Sequence, residues 1–367
     1  MSKLSDFVGG SGGLKPFLDL GTVTGTQVLD LSAYSAFKVV QGAGNLTLDF
    51  VTDNPELRGE ADLFLENNDS FSLTVNADNL NSFSTDIGLS AASYDRVSFS
   101  VSGQDTTPYD IAFNSSGTKM YMVGNNSDSV YQYSLSTAFD LSTASYDSVS
   151  FSVSGQDPDP RGIAFNSSGT KMYMVGSTSD SVHQYSLSTA FDLSTASYDS
   201  VSFSVSGQDT TPYDIAFNSS GTKMYMVGNT SDSVHQYSLS TAFDLSTASY
   251  DSVSFSVSGQ DTIPLGIAFN SSGTKMYMVG NTSDSVHQYS LSTAFDLSTA
   301  SYDSVSFDVS GQDTTPVGIA FNSSGTKMYM VGSTSDSVYQ YSLASVNRVS
   351  QFGDFIGIQS EGYQYAI

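Results

Sequence analysis

Serine and apolar residues alternate in short runs along most of the chain. SVSFSV at residues 200–205 is one instance, and its period of two predicts a strand with one buried face. After the loop GQDTTP comes YDIAF at 213–217, a short apolar strand, and then the tight turn NSSG. KMYMV at 223–227 is apolar on both faces, as in a strand sandwiched between neighbours. GNTSD turns again, VHQYSL at 234–239 makes a further strand, and STAFDLSTASYD returns to the next alternating run. No copy carries a capped stretch of 3.6-residue period, so helix is not expected.

This four-strand unit occurs five times. Gly-Gln-Asp recurs at Gly103, Gly155, Gly207, Gly259 and Gly311, a constant step of 52 residues. Strand-rich repeats at that spacing predict sheets arranged radially around a channel. The strand buried on one face suits the outer edge, and Ile-Ala-Phe the innermost position. Outer strands fall at 97–101, 149–153, 201–205, 253–257 and 305–309, and three-strand units begin near Ile111, Ile163, Ile215, Ile267 and Ile319. The first outer strand has no unit before it and the last unit has no outer strand after it. Pairing 97–101 with 338–343 completes a fifth blade and removes an open edge. The expected fold class is all-β: a five-bladed β-propeller of four-stranded antiparallel blades. Strand parity puts the GQDTTPYD and GNTSDS loops on one face, called the top. NSSG, STAFDLSTASY and both ends of the repeat region fall on the bottom.

Four segments follow. Residues 1–16 are Gly-rich and expected to be a flexible arm. Residues 17–92 carry alternating runs at 27–31, 37–40, 46–51, 63–65 and 71–75, expected to form a small β-sandwich or barrel that anchors the protein. The propeller covers 93–343. The tail, 344–367, has strand candidates at 355–358 and 363–367 and is expected to complete the N-terminal sheet.

Composition narrows the function classes. The chain of 367 residues has no cysteine, so disulfides and thiol metal sites are excluded. Its net charge of −25 argues against binding a phosphate backbone. Only Glu56, Glu60, Glu66 and Glu361 are glutamates; the remaining acids are aspartates, which suit turns. Apolar runs are too short to span a bilayer, and the start lacks a signal-peptide core.

Candidate chemistry is sparse. His183, His235 and His287 share one repeat position that Tyr131 and Tyr339 fill elsewhere, which fits packing better than catalysis. Aspartates form a top ring (Asp105, Asp157, Asp209, Asp261, Asp313) and a bottom ring (Asp95, Asp147, Asp199, Asp251, Asp303). Such rings would suit Ca²⁺, but no Asp-x-Asp-x-Asp-Gly loop occurs, and capping of turn N–H groups is the expected role. No cofactor is expected. Each NSSG asparagine (Asn114, Asn166, Asn218, Asn270, Asn322) reads as a turn residue. Nucleophile-elbow and phosphate-loop motifs are absent, and a glycosidase carboxylate pair drawn from two blades stays open. The copies differ mainly in the loop entering the inner strand: TTPYD, PDPRG, TTPYD, TIPLG and TTPVG. Tyr109, Arg161, Tyr213, Leu265 and Val317 therefore share one position, with Asp110 and Asp214 beside the tyrosines. This top-face mouth is the candidate ligand-binding site, Tyr and Arg being typical anchors.

The repeat SGTKMYMVGNTSDSVHQYSLSTAFDLSTASYDSVSFSVSGQDTTP resembles propeller repeats of tailed-phage structural proteins, and its layout is similar to NHL and lactonase-type propellers. GTQVLDLSAYSAFKVVQGAGNLTLDFV resembles β-modules of phage tail-fibre proteins. The resemblance implies a virion protein of tail-fibre type, on a particle surface and extracellular. It would bind other virion proteins through 1–92 and 344–367 and a host surface glycan or protein through the propeller. Nucleic-acid binding and membrane insertion are not expected; a homo-oligomer is compatible. A capsid decoration protein, a glycan-cleaving propeller and a bacterial adhesin are the alternatives. The channel metal ligands of lactonase-like propellers find no match residue by residue, so the expectation is that the protein is not an enzyme.

Overall fold

The computed structural model describes residues 17–30, 36–51, 61–66, 73–77, 82–350 and 355–360, and side chains over 88–343. The chain divides into two compact units, residues 92–343 and residues 1–91 with 344–367.

The larger unit is a five-bladed propeller. In the first blade the strands Pro108–Phe113, Lys119–Gly124, Ser129–Leu135 and Ala144–Ser152 pair in sequence order, all antiparallel, and the next three blades repeat the arrangement. The fifth blade supplies Pro316–Phe321 and Lys327–Gly332, followed by Ser337–Ser350, and takes Ser82–Ser100 as its outer strand. The closing contacts copy those inside a blade. Val101 N–H donates to Asp336 at 2.8 Å, as Val153 N–H does to Asp128. Asp95 meets Lys327 at 2.6 Å, as Asp147 meets Lys119.

The hydrophobic pattern explains the layers. Every residue after the lysine in each second strand is buried, because both of its faces meet another blade. Outer strands alternate partly buried and exposed positions, as the serines predict. The core is a set of walls between adjacent blades: Tyr121 and Val123 pack against Met172, Met174 and Tyr185, and the set recurs around the ring. Tyr121, Tyr173, Tyr225 and Tyr329 also donate hydroxyls to backbone oxygens of Phe191, Phe243, Phe295 and Phe139 in the next blade, at 2.5 to 2.6 Å. Each of these four walls thus ends in a satisfied polar atom.

The outer strand begins earlier than the alternation suggested. A 3-10 turn at Leu141–Thr143, capped by Asp140 accepting from Ser142 N–H at 3.0 Å, delivers the chain to Ala144. Ser148 then adopts φ 59° within the strand, where the register slips against Ser129–Leu135. Asp147 and Ser148 have no partner in the ladder and interrupt the period, so the strand's first half does not read as alternating.

In the smaller unit, Phe17–Asp30, Ala61–Glu66 and Leu73–Ala77 each pair in parallel with Ala36–Val51, and Phe355–Ser360 pairs in parallel with Ala61–Glu66. The sandwich-or-barrel expectation named no strand direction, and these ladders are parallel. Side-chain alternation reports which face is buried and is silent on strand direction. The expected arm at 1–16 and the strand candidate at 363–367 lie outside the described residues. Among the described residues no helix is long and apolar enough to cross a membrane.

Candidate functional site

Each inner strand opens with proline, which tolerates the first strand position because no ladder N–H is needed there. In the first blade Pro108 pairs with Gly124 and Asp110 with Val123, leaving Tyr109 as an extra, bulged residue. The same slip isolates Arg161, Tyr213, Leu265 and Val317. A bulge re-aims its side chain, and these five residues converge at the top of the channel. The position that varies most between copies is therefore the one the backbone turns toward the axis.

Arg161 packs against two aromatic rings. Its guanidinium carbon is 4.0 Å from the centroid of Tyr109 and 4.8 Å from that of Tyr213, and the rings stand 6.4 Å apart. Nη2 donates to Asp159 Oδ2 at 2.7 Å and Nε to Ser177 Oγ at 3.4 Å, while Ser177 Oγ also donates to Asp159 Oδ2. Buried Leu265 and Val317 join Tyr109, Tyr213 and Ile263 in one apolar cluster. The mouth thus has a cationic aromatic half from the first three blades and an aliphatic half from the last two.

Beneath the mouth, the next residue round the ring reads Asp110, Gly162, Asp214, Gly266, Gly318. Asp110 and Asp214 are 4% and 3% exposed and hydrogen-bonded to each other. Asp110 Oδ2 accepts from Ile163 N–H at 2.9 Å; Asp214 Oδ2 accepts from Ile267 N–H at 2.8 Å, and its Oδ1 from Ile215 N–H at 2.6 Å. Burial raises the pKa of both carboxyls, and the charge of Asp214 raises Asp110 further, against the backbone donors that favour ionisation. Asp110 is the more strongly raised of the two. The throat is tight: a Cβ on Gly162 would stand 2.7 Å from Asp214 Cα, and one on Gly318 2.5 Å from Asp110 Oδ1.

All seven sequence-predicted site residues fall in these two layers. Asp159, which with Ser177 holds Arg161, was not singled out; the signal was present in PDPRG, the one copy whose added cation comes with an added acid. The pairing of Asp110 with Asp214 was likewise unread, because the two lie 104 residues apart and meet only when the ring closes.

The other candidates have structural partners. Asp105 accepts from Thr107 N–H, Ser127 N–H and Ser127 Oγ at 2.6 to 3.0 Å, so it caps two top loops. Bottom-ring Asp147 accepts from Lys119 at 2.6 Å and Gln132 at 2.8 Å; burial would raise it, but Lys119, Ser134 and Gln132 hold it below the usual range. His183, His235 and His287 face Ser179, Ser231 and Ser283 through Nε2 at 2.9 to 3.0 Å. Asn114 Oδ1 accepts from Lys119 N–H at 3.0 Å across its turn. No group of three or more His, Cys, Asp or Glu able to hold a metal occurs among the described residues.

The fold and its channel define a propeller of lactonase type. The family model described as "Lactonase, 7-bladed beta-propeller" matches residues 111–301, more than half of the chain, and the chain belongs to that family with five blades. Among solved structures, a functionally unknown protein from Desulfotomaculum acetoxidans is 11% identical over 61% of this chain, which spans 62% of its length, with a TM-score of 0.40. A "putative 6-phosphogluconolactonase" from Bacteroides uniformis is 12% identical over 69% of each chain, with a TM-score of 0.43. No curated protein matches the chain. The family match overturns the expectation that the protein is not an enzyme. That expectation rested on the channel metal ligands of lactonase-like propellers finding no residue-by-residue match in this chain.

Proposed function

We propose that the propeller binds a small cyclic ester at the top of its channel and opens it by hydrolysis. One observation carries the reading: the bulged residues hold the Arg161 guanidinium over the rings of both Tyr109 and Tyr213, in a family named for lactonase activity. Aromatic faces accept the C–H face of a ring, and the guanidinium favours the negative charge that develops on the ester oxygen. The aliphatic side, Leu265 and Val317, excludes water from the other edge. The test is titration at constant pH of acid released from a panel of five- and six-membered lactones. The wild type is expected to open at least one, and Arg161→Ala or Tyr213→Ala to lower kcat/KM at least tenfold. Inertness across the panel overturns the proposal.

A second reading uses the same mouth. The combination of two tyrosines and an arginine is typical of binding anchors, so a virion that carries the protein through residues 1–92 and 344–367 would present it to a host surface glycan or protein. Labelled protein on intact particles, with cell binding that is lost in Tyr109→Ala/Arg161→Ala/Tyr213→Ala, checks this; cell binding unchanged in that variant rejects it.

A further inference from the structure

We infer that Asp110 and Asp214 form the acid–base pair of the reaction, an inference that rests on the cyclic-ester reading above. The juxtaposition is specific. Of five equivalent throat positions only two carry a functional group, both are carboxyls, and they bond to each other. Each follows directly the tyrosine that stacks on Arg161, so binding layer and carboxyl layer are adjacent along the same strands. Backbone N–H groups of Ile163 and Ile267, donated by the neighbouring blades, fix both side chains. Salt bridges or loop caps occupy the ring aspartates Asp147 and Asp105, but among the described residues this pair has no cationic partner.

A pair sharing one proton is suited to ester hydrolysis. Asp214 as carboxylate takes a proton from water as the water oxygen bonds to the carbonyl carbon. The tetrahedral intermediate then breaks its bond to the ring oxygen, which receives the proton held by Asp110. The products are a hydroxy acid with its ring open, Asp214 protonated and Asp110 ionised. Transfer of that proton along the mutual hydrogen bond restores the starting state, so one water is consumed and no other reactant is needed. The side chains above the pair (Tyr109, Arg161 and Tyr213) are only partly buried, so a substrate reaches it by rotamer changes without parting the throat backbone. The charged and titratable groups in the layer above the pair are Arg161 and Asp159 from the second blade and the two tyrosines; the fourth and fifth blades present Leu265, Val317, Gly266 and Gly318.

The experiment measures kcat, KM and their pH profiles on whichever lactone the wild type opens, for wild type, Asp110→Asn and Asp214→Asn. Each variant is expected to lower kcat at least a hundredfold with KM within threefold. Asp214→Asn should lose the acidic limb of the profile and Asp110→Asn the alkaline limb. Infrared difference spectra of the wild type should show a protonated carboxylic acid at neutral pH. This measurement stands even if a variant fails to fold. Folded variants that keep kcat within threefold, or a wild type without that carbonyl band, overturn the pair while leaving lactone hydrolysis intact. A wild type that opens no lactone overturns the underlying reading instead, and this inference with it.

Discussion

At the wall between the third and fourth blades, Tyr225, Met276, Met278 and Tyr289 are wholly buried. One blade earlier Tyr173, Met224, Met226 and Tyr237 make the same contacts. Each wall residue meets the next blade's copy of the opposite wall, so one set of side chains solves the packing problem all round the ring. At the throat the copies of a single position meet one another. Gly162 lies against Asp214, and Gly318 against Asp110, with too little room for a further side chain. A ring of five has room for at most two positions that are not neighbours, and Asp110 and Asp214 occupy such a pair. Repetition is stable where a copy meets a different part of its neighbour and untenable on the axis. Divergence among otherwise near-identical repeats is therefore concentrated where chemistry has to be placed.

The walls give the largest test of that contrast. Tyr225→Ala removes a wholly buried ring and is expected to cost about 3–5 kcal/mol in chemical denaturation. Tyr173→Ala should match it, since the surroundings are the same. Tyr225→Phe loses only the hydroxyl donated to Phe295 and should cost about 1 kcal/mol. Very different costs for the two alanine variants would break the equivalence of the walls.

A smaller effect is expected at the throat. Gly318→Asp sets a third carboxyl beside Asp110, its Cβ 2.5 Å from Asp110 Oδ1 and 2.9 Å from Asp110 Cα, and should cost about 2–3 kcal/mol. Adding Asp110→Gly rotates the pattern by two blades and leaves Asp214 and the introduced carboxyl as the non-adjacent pair. Most of the lost stability should return in this double variant, measured by the same denaturation. If the two costs simply add, the throat is not limited by neighbouring carboxyls.

The sequence carried the walls almost entirely. Alternating serines marked the outer strands, doubly apolar KMYMV marked the sandwiched strand, and the unmatched strand at 97–101 gave the closure. The direction of pairing in the smaller unit was not legible, because alternation is the same in parallel and antiparallel ladders. The variable residues marked the mouth and brought in Asp110 and Asp214 beside the tyrosines, but the pairing of the two carboxyls was not legible. In sequence the two resemble the many turn aspartates of the chain. They differ only in sitting inside the inner strand, one residue past a bulge, where side chains point at the axis.

The smallest effect concerns protons, and here walls and throat differ in sign. Burial lowers the pKa of His183, His235 and His287, against the opposing pull of Asp157, Asp209 and Asp261. Their Nδ1 atoms have no partner among the described residues, so the neutral ring fits and the imidazolium does not. Their share of stability is complete above an unfolded pKa of about 6.5 and is lost as pH falls through the lowered folded value. Asp110 and Asp214 act oppositely. Their raised pKa values make their share complete below an unfolded value of about 3.9 and lost as pH rises through the folded one. Tyr131 shows how to separate the two, since its hydroxyl reaches Ser127 Oγ at 2.7 Å, as His Nε2 reaches serine in its own blades. Changing all three histidines to tyrosine should remove the rise in stability with pH and expose the fall due to the throat. Urea denaturation at pH 5 and pH 8 measures both slopes. An unaltered slope in the triple variant would mean that the buried imidazoles carry no proton linkage.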